Sequence, residues 1–128
     1  MKTHTILVLA LLCYSITALA GPPIWPRQPK LSAAYESLTI ALKQVELSRT
    51  GEPKRHLARA SAELSAAKIH LETAKKNKGS ARLVAIYEIE AAEKEIAAAS
   101  ADPKHLDAAT AQITEAMEKV SRAAKTGR

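Results

Sequence analysis

Phenylalanine is absent from this chain, and aromatic residues make up only 3% of it: Tyr14, Trp25, Tyr35 and Tyr87. A core without large rings must be filled by aliphatic side chains and alanine. Such a core buries little area per residue, so a large hydrophobic ligand cavity is not expected. The single cysteine, Cys13, lies within the first 20 residues. Beyond it, a disulfide, a thiolate metal site, a thiol nucleophile and a c-type haem attachment are all excluded. There is no Gly-rich phosphate loop, no H-E-x-x-H pair and no Ser-His-acid arrangement, so an enzyme is not expected. The longest apolar run, Ile6 to Cys13, is too short to span a bilayer.

Within the 128 residues three segments differ in composition. Met1–Ala20 has a basic start (Lys2), the apolar run, and Ala18-Leu19-Ala20 before Gly21-Pro22-Pro23. This is the pattern of a Sec-type signal peptide cleaved after Ala20, which predicts a periplasmic or secreted protein. Residues 21–30 hold four prolines and predict an extended arm. Its Ile24-Trp25 pair is expected to lie across the body as a clip, with a binding handle as the alternative. Residues 31–126 form the body, of a size that fits one domain.

The body is rich in alanine and carries one pattern twice. Leu57, Ala60, Leu64, Ala67, Leu71 and Ala74 step at alternating intervals of three and four, and Leu106, Ala109, Ile113, Ala116, Val120 and Ala123 repeat the steps 49 positions later. Such spacing belongs to a helix that packs along one face. The preceding segments align at an offset of 51: Ala34 with Ala85, Leu38 with Ile89, Ala41 with Ala92, Val45 with Ile96. Four helices follow, near 31–49, 53–76, 80–99 and 103–125, with Leu83, Ile86, Ile89, Ala92 and Ile96 inward on the third. Thr50-Gly51-Glu52-Pro53, Asn77-Lys78-Gly79-Ser80 and Ser100-Ala101-Asp102-Pro103 separate them, with Ser80 and Asp102 as caps. Short turns fold long helices back antiparallel, so the predicted fold is all-α, an up-down-up-down four-helix bundle built from two repeated hairpins. A monomer is expected rather than a dimer of hairpins.

Candidate ligands for a metal are few. Glu88, Glu90, Glu93 and Glu95 read as a solvated face of the third helix. His56 and His70 are 14 residues apart on one helix, about 21 Å, so they cannot share an ion. His56 and His105 open their helices at the same end, beside Glu52 and Asp102. Two imidazoles with two carboxylates suit Cu, Ni or Zn. The plain alternative is surface histidines at helix starts.

A leader, a cysteine-free body of about a hundred residues, four Ala-rich helices from a duplicated hairpin and a glycine-led helix entry ending in His-Leu (Gly51 to Leu57) together resemble the periplasmic small metal-binding protein family. The resemblance covers residues 31–125. It implies a monomeric bundle that binds divalent metals, copper included, as a buffer or scavenger. His56, His70 and His105 are the positions it would use.

The formal net charge is +6, and +5 once Lys2 leaves with the leader. In the predicted topology the start of the first helix, the second turn and the C-terminus share one end. There Arg27, Lys30, Lys75, Lys76, Lys78, Arg82, Arg122, Lys125 and Arg128 collect, and some of them complement helix dipoles. A pole with Lys75, Lys76, Lys78, Arg82 and Lys125 at its centre predicts an anionic membrane surface or an acidic protein as partner. No nucleic acid is expected, because no aromatic residues interleave these cations apart from Trp25.

Overall fold

The computed structural model describes residues 25–74 and 79–126. Over these the chain forms α1 (Pro29–Ser48), α2 (Pro53–Thr73), α3 (Ser80–Ala99) and α4 (His105–Thr126). No described residue lies in a strand. The leader assigned to Met1–Ala20, the arm before Trp25, and Lys75, Lys76, Lys78 and Arg128 lie outside the described residues. None of the four helices is long and apolar enough to cross a membrane.

Local chemistry sets the helix starts. Pro29 and Pro53 open α1 and α2, where a fixed φ suits the helix and a missing N–H loses no bond. The helix thereby takes in Pro29 and Lys30, which were expected in the arm. Glu52 precedes α2 at φ 46° and ψ 55°, the left-handed region, and is the only non-glycine described residue with positive φ. Ser80 does not cap α3. Gly79 holds that position in an extended conformation, and Ser80 is the first helical residue, without a side-chain cap bond. Asp102 does act as a cap: the Lys104 N–H donates to its Oδ1 at 3.0 Å. A tightened turn follows, with His105, Leu106 and Asp107 N–H groups donating to Asp102, Pro103 and Lys104 carbonyls, so the regular helix begins at His105.

The bundle closes as a square. α1 packs chiefly on α2 and α3 on α4, the α1–α4 and α2–α3 seams complete the ring, and the diagonal pairs stay apart. Both ladders are buried as their spacing predicts apart from Ala74, which follows the end of α2 and is partly buried, with Leu64, Ala67, Leu71, Ile113, Ala116 and Val120 fully removed from solvent. Leu31, Leu38, Ala41 and Val45 join them from α1, and Ala85, Ile89, Ala92 and Ile96 from α3. Leu83 is the exception. The α3 stripe runs back from Ile89 to Ala85, which leaves Leu83 on the outer flank with 49% exposure.

Trp25 is the expected clip. It is half-buried against the core, and its ring meets Tyr35 edge-on at 5.6 Å. Its backbone N–H donates to Ser32 Oγ at 2.8 Å, and Gln28 Nε2 donates to the Ala124 carbonyl at 2.6 Å, tying the start of α1 to the end of α4.

The internal repeat is also a symmetry of the fold. Exchanging the hairpins maps the α1–α4 seam onto the α2–α3 seam, as in an isologous dimer. His56 Nδ1 lies 2.7 Å from Gln44 Oε1, and His105 Nδ1 lies 2.7 Å from Glu95 Oε2. His105 is the repeat partner of His56 and Glu95 that of Gln44.

Candidate functional site

The four residues proposed as metal ligands do not come together. Each histidine closes its own hairpin, His56 toward α1 and His105 toward α3. Because α2 and α4 are diagonal, the two rings lie on opposite sides of the bundle. Glu52 is exposed and pairs with Arg55 at 3.4 Å, and Asp102 is used by the Lys104 backbone. His70 stands half-buried in the last turn of α2. Among the described residues no group of three or more His, Asp or Glu is placed to hold a metal ion.

The glutamates of α3 are not the solvated face that their number suggests. Glu88 and Glu95 turn toward α4, meeting Lys119 at 3.9 Å and His105 at 2.7 Å. Glu90 and Glu93 turn toward α2, where Lys68 Nζ donates to Glu90 at 3.3 Å and Ser65 Oγ to Glu93 at 3.4 Å. The Glu90 bond and charge hold the Lys68 ammonium above its ordinary range. Glu88 is more enclosed than Glu90 or Glu95, with Oε2 buried and without a hydrogen-bond partner. Burial pushes its carboxyl above the ordinary glutamate range, Lys119 opposes that, and Glu115 and Glu118 add to it.

The two ends of the bundle differ in how their cations are engaged. At the end formed by the α1–α2 and α3–α4 turns, Arg49 reaches Asp107 at 2.8 Å and Glu46 at 3.8 Å, and Arg55 reaches Glu52. Farther along α2, Arg59 meets Glu63 at 3.7 Å. At the opposite end Arg27, Lys30 and Lys125 are exposed and make no ion pair with a described residue. Arg82 there donates to the Leu71 carbonyl at 2.9 Å, closing the C-terminus of α2, and Arg122 pairs with Glu118 at 2.9 Å. Lys125 sits in the last turn of α4, where the dipole favours a cation. Of the residues the sequence assigned to this pole, Arg27, Lys30, Arg82, Arg122 and Lys125 are thus placed at it. Lys75, Lys76 and Lys78 lie between Ala74 and Gly79, outside the described residues.

The unpaired cations, rather than the histidines, form the candidate site. Sequence reading weighed the cations by the end they share, the acids near them and the helix dipoles, and had no signal for which individual cations find carboxylates. Comparison with protein-family models, with characterised proteins and with solved structures finds no match to this chain.

Proposed function

We propose that this protein is a non-enzymatic helical bundle that docks on an anionic membrane surface through the end carrying Arg27, Lys30, Arg82 and Lys125. The observation that carries this reading is the contrast between the ends: at one, Arg49 and Arg55 are held by carboxylates and the unpaired Lys54 and Lys104 lie within three residues of Glu52, Asp102 and Asp107 in the chain, while at the other Arg27, Lys30 and Lys125 have no described partner. A charge already paired within the protein contributes little field outside it. Unpaired ones are each worth about 1 kcal/mol near an anionic bilayer. Lys75, Lys76, Lys78 and Arg128 are further cations adjacent in sequence to the ends of α2 and α4. Export by the Met1–Ala20 leader would deliver the bundle to the periplasm or beyond the cell, and N-terminal sequencing of the exported protein should start at Gly21.

Co-sedimentation with phosphatidylglycerol-rich vesicles tests this. At low salt the protein should pellet with the vesicles and be released near about 0.5 M salt, where the screening length is only a few ångström. Lys30→Glu with Lys125→Glu should weaken binding, as should Lys75→Glu with Lys76→Glu. Protein that stays in the supernatant at low salt would sink the membrane reading and reduce the pole to dipole compensation.

A second reading, weak capture of Cu, Ni or Zn, is favoured by one detail. Glu95 holds His105 at Nδ1, the arrangement that orients the other ring nitrogen toward a metal. Each histidine would then act alone, so calorimetry should find only weak binding, lost from one site with His105→Ala and from the other with His56→Ala. Tight binding of several ions would contradict separate single-histidine sites.

A further inference from the structure

We propose that the bundle meets the bilayer along the α2–α3 edge of its basic end, with Ile69, Leu83 and Tyr87 entering the headgroup layer. This rests on the membrane reading above and names the face that touches lipid.

Comparison of the two repeats singles out these residues. Ile69, Leu83 and Tyr87 are 59%, 49% and 71% exposed, the three most exposed large apolar side chains among the described residues. Ile69 lies in the last turns of α2, and Leu83 and Tyr87 lie in the first half of α3. At the offsets of 49 and 51 their repeat partners are Glu118 on α4 and Ser32 and Glu36 on α1. Glu36 and Glu118 are exposed, and Ser32 Oγ is taken up by the Trp25 clip. Equivalent outer positions thus carry two acids and a hydroxyl on one edge and three apolar groups on the other. The core does not require the apolar set, since all three positions lie outside the buried stripes. Helix propensity does not require it either, because glutamate serves an exposed helix position as well as leucine and better than tyrosine.

The edge is assembled by packing. Lys68 with Glu90 and Ser65 with Glu93 set the antiparallel register of α2 on α3, which brings Ile69 and Tyr87 within one helical turn of each other along the bundle axis. The acids between these helices, Glu72, Glu90 and Glu93, surround Lys68, which pairs with Glu90 at 3.3 Å. Lys94 continues the stripe of Leu83 and Tyr87, exposed and without an ion pair among the described residues. Arg27, Lys30 and Lys125 stand at the same end of the bundle. An anionic surface is therefore met by apolar side chains flanked by cations on the α2–α3 edge, and by Glu36 and Glu118 on the α1–α4 edge, so the α2–α3 edge leads. The three side chains sit on two helices with Lys68 and Thr73 among them. A headgroup layer accepts such separate side chains, and a tyrosine suits that depth, with its ring at the acyl boundary and its hydroxyl in water. A protein partner would need a continuous, closely packed patch.

Labelling at one position on each edge tests the proposal in the full chain. Tyr87→Cys and Glu36→Cys, each in a Cys13→Ser background, would carry an environment-sensitive nitrobenzoxadiazole label. With phosphatidylglycerol-rich vesicles at low salt, the label at 87 should brighten severalfold, shift to the blue and gain protection from acrylamide, while the label at 36 should not change. Ile69→Ser with Leu83→Ser and Tyr87→Ser, all at exposed positions, should melt like the parent and bind vesicles about tenfold or more weakly. What binding remains should still be abolished by salt. Lys30→Glu with Lys125→Glu should lower the bound fraction and leave the signal at 87 per bound molecule unchanged. Pelleting with the label at 87 unaltered, a larger response at 36, or full binding by the triple serine variant would overturn this edge while leaving docking by the basic end intact. Protein that never pellets would remove the docking reading and this one together. A blue shift at 87 that grows with protein concentration in the absence of vesicles would assign the face to a second copy of the chain and overturn the proposal equally.

Discussion

At the residue scale, the same chemical group has opposite worth depending on which face it meets. Leu64 is fully enclosed by the ladder of α2, while Leu83 stands on the outer flank of α3. Leu64→Ala should therefore lower stability by about 2–5 kcal/mol through lost transfer and a residual cavity. Leu83→Ala should change it by no more than about 0.5 kcal/mol. Urea unfolding of the two variants checks the contrast. Glu88 offers a second residue-level test, because its buried Oε2 has no partner and its folded-state carboxyl is raised. A raised carboxyl means that the folded protein binds the proton more readily than the unfolded chain. Stability is then lost as pH rises from the ordinary glutamate range through the raised value. Glu88→Gln should melt above the parent at neutral pH, with the advantage shrinking as pH falls toward that range. A variant no more stable than the parent at neutral pH would mean that Lys119 compensates the burial fully.

At the scale of elements, the clip at Trp25 and the helix entries matter most. Trp25 is the only tryptophan, and it touches Tyr35 while Gln28 binds the end of α4. Its fluorescence should therefore report unfolding of the whole bundle, with a midpoint matching that of far-ultraviolet circular dichroism. A separate, earlier fluorescence transition would show that the clip opens independently. Trp25→Ala should reduce stability by about 1–3 kcal/mol, since a half-buried ring and an edge-on aromatic pair are both removed. Glu52 is held at positive φ before Pro53, where a β-carbon is crowded. Glu52→Gly should raise stability by roughly 1 kcal/mol if relief of that strain outweighs the added freedom of the unfolded chain, and denaturant midpoints would show the sign.

At the scale of the whole molecule, the bundle behaves as a dimer of hairpins fused into one chain. Each hairpin presents half of a core that it cannot bury alone. A fragment spanning residues 25–74 should consequently be largely unfolded when dilute and regain helix only as it dimerises, with two copies recreating both seams. Sedimentation and circular dichroism across a concentration series would check this, and a stable, helical monomer would contradict the shared core. The fused chain also allows the two seams to diverge. One is closed at the turn end by Glu46, Arg49 and Asp107, while the other stays open there and is bridged farther along by Lys68 with Glu90. The contrast between paired and unpaired cations at the two ends is likewise a property of the assembled molecule.

Much of this was legible in the chain alone. Periodicity is a local property of a helix, so the ladders from Leu57 and Leu106 specified which faces are buried, and the Pro- and Gly-bearing turns placed the helix ends to within a few residues, α2 stopping at Thr73, where Ala74 leaves the helical conformation, rather than at Lys76. The duplication, read as two offsets, specified the hairpins and their antiparallel packing. What periodicity does not carry is which neighbour each flank meets. The up-down-up-down order already implies that α2 and α4 are diagonal; the packed bundle turned His56 toward Gln44 and His105 toward Glu95, on opposite sides. It turned the glutamates of α3 toward two different neighbours, and it matched Arg49 with Asp107, 58 residues away, while leaving Lys30 and Lys125 without a described partner. A sequence counts charges and ligands. Only the packed bundle decides which of them are satisfied, because pairing is set by distances of a few ångström between residues far apart in the chain.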